Sequence, residues 1–167
     1  MAFEDETWVE LLPTLWKSWY LKGKQLEIMT PGINKRINVF ITLFLGRAKT
    51  VHSLHARRTA REMIYHAKKL LKMTGKMRFK KTILFMDNTP VHRSRRFKNF
   101  IKKNRDRLKV YPLPEYSPNL NKVEKINRNI KRDVCSNRYH DNVKELKSCI
   151  RRYLKEYKIR QKLSNYT

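Results

Sequence analysis

Two short apolar runs constrain the fold more than any other feature of the chain. Residues 36–45, carrying INVFITLFL, and Thr82–Met86 (TILFM) are nearly uninterrupted and rich in β-branched and aromatic residues. That is the pattern of strands covered on both faces rather than strands with one wet side. A sheet covered on both faces needs a layer of helices above and below it, which points to the α/β class.

The rest of the chain supplies those helices. Over 57–74 the period changes to helical, with Ala60, Met63, Ile64, Ala67, Leu70 and Leu71 on one face and Gly75 placed as a C-cap. A second helix is predicted over about 94–104, burying Phe97, Phe100 and Ile101. A third runs from about 121 to 134 along Val123, Ile130 and Val134. A fourth starts at an Asp141 cap and carries Val143, Leu146, Ile150 and Leu154. Besides the two apolar runs, strands are predicted at Ala2-Phe3, at 24–30 and at Leu108–Leu113, the last stopped by Pro112 and Pro114. Three early strands followed by alternating helix and strand give a mixed sheet, antiparallel first and parallel after. Such sheets gather their sites at strand ends. Asp5 and Asp87, at two such ends, are expected close together at one edge of the core. With no repeat and no Gly/Ser linker, 1–167 reads as a single domain.

Charge narrows the partner. Forty Lys and Arg against 14 Asp and Glu leave a formal charge of +26, which opposes compaction unless an anion screens it. An AT-rich genome explains many lysines by codon bias but not the arginines, such as Arg57, Arg58, Arg93, Arg95, Arg96, Arg151 and Arg152. Nucleic acid is the expected partner, because neutralised phosphates release counterions. No stretch approaches the ~18 apolar residues of a membrane span. The start of the chain is acidic, unlike a leader peptide. A cytoplasmic, nucleoid-associated protein is expected, with Cys135 and Cys149 as ordinary reduced thiols. His52 and His55 read as a solvated turn, while His66 and His140 suggest no role. Trp8, Trp16, Trp19 and Tyr20 read as core packing around the early strands, in preference to a base-stacking surface.

In so basic a chain, three acid-bearing segments stand out: Phe3-Glu4-Asp5-Glu6-Thr7, Leu84-Phe85-Met86-Asp87-Asn88-Thr89-Pro90-Val91-His92, and Leu113-Pro114-Glu115-Tyr116-Ser117-Pro118-Asn119-Leu120-Asn121-Lys122-Val123-Glu124. Each acid has a bland alternative. Asp87 could be a turn acid after a strand, and Glu124 could close a capping box with Asn121. Glu4 and Glu6 should face away from Asp5 on a strand. Taken in order, however, the segments resemble the signatures of DDE transposases, in particular the mariner-like superfamily and its prokaryotic insertion-sequence relatives. Asp87 and Glu124 stand 37 positions apart, within that group's spacing. Two departures are visible: Lys122 where Pro is usual, and Asn127 where a Trp commonly follows the third acid.

The resemblance implies a ribonuclease H-like fold and cut-and-paste strand transfer with Mg2+ or Mn2+. It also implies that Asp5, Asp87 and Glu124 are the catalytic, metal-holding acids, with Asn88 and His92 in support. Phosphate contacts are expected from Arg93, Arg95, Arg96, Lys122, Lys131 and Arg132. The implied partners are transposon-end and target DNA, the latter at TA steps, and a second copy of the chain in the active complex. The helix-turn-helix region that reads the element's ends in such proteins is not among these residues, so truncation or a separately encoded half is expected. Two alternatives compete: an inactive relic serving only as a basic DNA-binding module, and a stand-alone nuclease of the same fold.

Overall fold

A computed structural model describes residues 1–24, 27–45, 49–114 and 117–157. Five strands form one sheet in the order β3-β2-β1-β4-β5. They are β1 (Ala2–Glu10), β2 (Arg36–Phe44), β3 (Lys49–His55), β4 (Thr82–Met86) and β5 (Leu108–Pro112). β1 and β2 pair antiparallel, as do β2 and β3, whereas β4 lies parallel to both β1 and β5. This is the expected mixed sheet of the ribonuclease H-like α/β fold.

Alternation along β2 explains why its sequence is apolar throughout. Ile37, Val39, Ile41 and Leu43 pack on one face with Val123, Ile126, Ile130, Leu146, Ile150 and Leu154. Those partners come from α4 (Glu124–Ile130), the turn before it and α5 (Val143–Glu156). Phe40 and Phe44 pack on the other face with Met63, Ala67, Leu70 and Phe97, from α1 (Ala60–Lys76) and α3 (Arg95–Lys103). Between them Thr42 is fully buried, and its hydroxyl meets His66 Nε2 at 2.9 Å while Ser53 Oγ meets Nδ1 at 2.9 Å. Both ring nitrogens are satisfied, and burial pushes His66 down to about 3, so it stays neutral.

Several predicted elements are corrected. Residues 27–30 hold no strand, and Gln25 and Leu26 lie outside the described residues. The third antiparallel strand is instead Lys49–His55, so His52 and His55 are strand residues and not a solvated turn. Its sequence, KTVHSLH, carries little apolar signal because it borders only one other strand and buries only Val51 and Ser53 fully. β1 runs nine residues, which leaves Asp5 in mid-strand. Gly75 lies inside α1, not at its cap. A Cβ there would stand 3.2 Å from the Arg107 guanidinium, which donates to the Leu71 carbonyl. The predicted 121–134 helix divides into α4 and a π-helical turn, Lys131–Cys135. Asn142, not Asp141, caps α5 by accepting from the Lys144 and Glu145 amides.

Trp8 near the end of β1 and the aromatic residues that follow the strand do not join the core. Trp19 is 99% exposed, and Trp8, Trp16 and Tyr20 are each about half exposed. Past Leu11 the chain leaves the sheet: Thr14 bridges Ser136, and the Trp16 amide donates to Asn137 Oδ1 at 2.9 Å. Beyond that anchor Trp19, Tyr20 and Leu21 are exposed. Among the described residues no helix is long and apolar enough to cross a membrane.

Candidate active site

Strand pairing brings the first two acids together. Phe3 lies beside Phe85 in the parallel β1–β4 ladder, and that register continued by two places sets Asp5 beside Asp87. β4 stops at Met86, and the chain turns through Asn88 and Thr89 into a single helical turn, α2 (Pro90–Arg93), with Pro90 at its first position. Within that turn His92 folds back over the end of β4 and the middle of β1.

His92 joins three acids. Its Nδ1 is 2.8 Å from Asp87 Oδ1 and 2.9 Å from the Asp87 carbonyl. Its Nε2 is 3.1 Å from Glu6 Oε1 and 3.4 Å from Glu4 Oε2. Burial alone would lower the imidazole's pKa. The bonds to Asp87 and Glu6 and the charges of Glu4 and Glu6 overcome it and raise His92 to about 11, so it is an imidazolium. For Asp87 burial raises the pKa, but the His92 bond and charge, with the Thr89 bonds, hold it below its ordinary value. Glu4 is fully buried with neither carboxylate oxygen hydrogen-bonded. Burial first, then the Glu6 charge, holds its pKa well above the usual range.

Asp5 faces the other layer. Its Oδ1 accepts from the Glu6 amide at 3.0 Å and its Oδ2 from Asn127 Nδ2 at 2.8 Å. Burial, followed by the charges of Glu124, Glu6 and Asp87, raises Asp5 from 3.8 to about 7. Glu4 and Glu6 thus share His92 while Asp5 turns to α4, as strand alternation predicts. Even so, one oxygen each of Asp5, Glu6 and Asp87 lie within 4.8 Å of one another. Glu124 is outside that close group, at the first position of α4, and its charge is the second largest influence on Asp5. The capping alternative is not realised. Asn121 accepts from the Val123 amide and donates to the Glu4 carbonyl at 3.0 Å, and the α4 N-cap residue is Val123, without a side-chain bond.

A model of the DDE superfamily endonuclease family matches residues 1–147. The chain belongs to the DDE superfamily endonucleases. Within this superfamily, it is 32% identical over 124 residues to the insertion element IS630 uncharacterized 39 kDa protein of Shigella sonnei. That match covers 74% of this chain and 35% of the relative, so the chain spans about a third of the curated protein it matches. The Mos1 strand transfer complex superposes with a TM-score of 0.71 at 16% identity, over 93% of this chain and 47% of that one. The catalytic domain of the Mos1 mariner transposase does so at 0.65 and 14% identity, over 93% and 70%. At such identities the likeness establishes the shared fold.

Among the other residues singled out from sequence, Asn88 is exposed beside Asp87, and Arg93, Arg95 and Arg96 are exposed on α2 and α3 immediately after it. Lys122 is half-buried next to Asn121. Lys131 Nζ lies 4.8 Å from the Trp8 ring centre. Arg132 is held by Asp133 through bonds of 2.6 and 3.1 Å. Within the third motif, Glu115 and Tyr116 lie outside the described residues. Sequence reasoning missed Glu4 and Glu6 as members of the His92 cluster and treated Asn127 only as a departure. The one available signal was the acid triplet itself, three carboxylates in a row on a strand of a strongly basic chain.

Proposed function

We propose that this chain is the catalytic domain of a transposase that cuts and joins DNA, with Asp5, Asp87 and Glu124 holding Mg2+ or Mn2+. The observation that supports this reading is that one oxygen each of Asp5, Glu6 and Asp87 lie within 4.8 Å of one another, with the Glu124 charge bearing on Asp5 from α4. Buried carboxylates in such proximity repel one another unless a cation lies between them. The donor set fits, since hard carboxylate oxygens suit both ions. A divalent ion held there supplies Lewis acidity toward the scissile phosphodiester and its attacking oxygen.

The chain's own residues supply the rest. The Asn127 amide and the Glu6 backbone amide fix both oxygens of Asp5. His92 orients Asp87 from behind and offsets part of the negative charge of Glu4 and Glu6. Arg93, Arg95 and Arg96 leave the same turn and would grip phosphates flanking the cut, with Lys122, Lys131 and Arg132 on the α4 side. Hydrolysis and strand transfer are both in-line displacements at phosphorus, so one set of acids can serve both. Transposon ends, TA target steps, a dimeric complex and a separately supplied end-reading half belong to the same proposal.

The test is a strand-transfer assay with pre-cut ends, Mn2+, and a helix-turn-helix half supplied fused or in trans. Asp5→Asn, Asp87→Asn and Glu124→Gln should each abolish cleavage and joining and leave the fold intact. Glu10→Gln, on the far end of β1, should not. Full activity in Glu124→Gln would remove that residue from the site. Cleavage without joining in the wild-type chain would favour the nuclease reading, and binding without cleavage the relic.

A further inference from the structure

Behind α4, where the π-helical turn Lys131–Cys135 gives way to α5, three residues of different chemistry converge. His140 is 5% exposed, and its Nε2 donates to the Val134 carbonyl at 2.9 Å. That bond settles the tautomer: Nε2 carries the hydrogen and Nδ1 presents a bare lone pair. Nδ1 is buried and has no hydrogen-bond partner, which leaves a desolvated acceptor unsatisfied. Glu145 and Cys149 stand four positions apart on α5 and so share one face. One ligand atom from each of His140, Glu145 and Cys149 lies within 4.8 Å of the other two. Glu145 Oε2 accepts from the Asp141 amide at 2.7 Å, which orients the carboxylate and leaves its second oxygen for another partner. An Arg152 guanidinium nitrogen is 3.6 Å from Cys149 Sγ.

We propose that His140 Nδ1, the Glu145 carboxylate and Cys149 Sγ form a structural site for a zinc-class divalent ion, separate from Asp5, Asp87 and Glu124. A nitrogen, oxygen and sulfur set selects zinc or cobalt over magnesium, which prefers oxygen alone. A histidine whose other ring N–H is tied to a backbone carbonyl has the orientation that metal-ligating histidines use. Binding replaces the Cys149 S–H bond by a sulfur–metal bond and releases that proton to solvent. The fourth position is left to water. The site ties α5 to the Val134 carbonyl in the turn that directly continues α4, and so braces the helix bearing Glu124 and Asn127 from its far end.

The test titrates Co2+ into the metal-free chain with excess Mg2+ present to occupy the carboxylates. One equivalent should produce a thiolate-to-cobalt charge-transfer absorption, release a proton and be displaced by Zn2+. Cys149→Ser should lose the absorption and Glu145→Gln should weaken binding by more than about tenfold, while Cys135→Ser keeps both. Zn2+ should raise the melting temperature of the wild type and not of Cys149→Ser. Matching metal-free melting curves for those two would show that lost binding is not lost folding. An absorption that persists in Cys149→Ser, disappears in Cys135→Ser or never forms in the wild type overturns the assignment.

Discussion

Asn127 donates its side-chain amide to Asp5 Oδ2 at 2.8 Å, joining helix α4 to the middle of strand β1 across 122 positions of sequence. Both residues are buried, so the bond is made to a carboxylate away from water. Asn127→Leu removes the donor and should destabilise the metal-free protein by about 1–3 kcal/mol, read by urea denaturation at pH 8. The loss should shrink at pH 5, where Asp5 is protonated and its oxygen is a weaker acceptor. An equal loss at both pH values would mean that packing, not the bond, holds α4 in place.

Asp5 itself should make the metal-free fold sensitive to pH. Its pKa rises from 3.8 to about 7 on folding, so the native state binds the extra proton between those values and stability falls as pH rises through them. Asp5→Asn cannot titrate. The variant's melting temperature minus that of the wild type should therefore climb from pH 4 to pH 7 and level off above it. Added Mg2+ should reverse the trend in the wild type alone, because the ion takes the deprotonated form. A difference that is flat with pH would place Asp5 in ordinary solvent.

His92 shifts in the same direction over a higher range. Its pKa rises to about 11 from 6.5, so its contribution is complete below about 6.5 and is lost as pH climbs through 11. His92→Gln at pH 7 removes the cation that faces Glu4, Glu6 and Asp87. Breaking a buried pair from one side costs about 3–5 kcal/mol. Adding Glu4→Gln should recover part of that loss, since the fully buried Glu4 is then neutral. Additive losses in the double variant would refute the coupling.

Non-specific DNA binding should weaken linearly in log–log form with salt. Neutralising Arg93, Arg95 or Arg96 should each lower the slope by about one. Arg132→Gln should change it less, because Asp133 already holds that guanidinium at 2.6 Å. Equal slopes for all four variants would show that the charges act only as a diffuse field.

Sequence alone determined the fold class, the strands β1, β2, β4 and β5, and the order of the three acid-bearing segments. These follow from local physics: an apolar run without polar alternation has to be covered twice, and helical period in the intervening segments supplies the cover. Strand alternation likewise separates Asp5 from Glu4 and Glu6. The tertiary structure alone decided what each acid meets. The parallel register set Asp5 beside Asp87, one helical turn returned His92 over buried carboxylates, and α4 delivered Asn127 from 122 positions away. β3 was illegible for the same reason, since KTVHSLH becomes a strand only by completing the hydrogen bonds of β2. His140 gave no sign of chemistry until the Val134 carbonyl settled which ring nitrogen was bare. Pairing register, tautomer and buried charge depend on neighbours distant in sequence, and no window along the chain contains them.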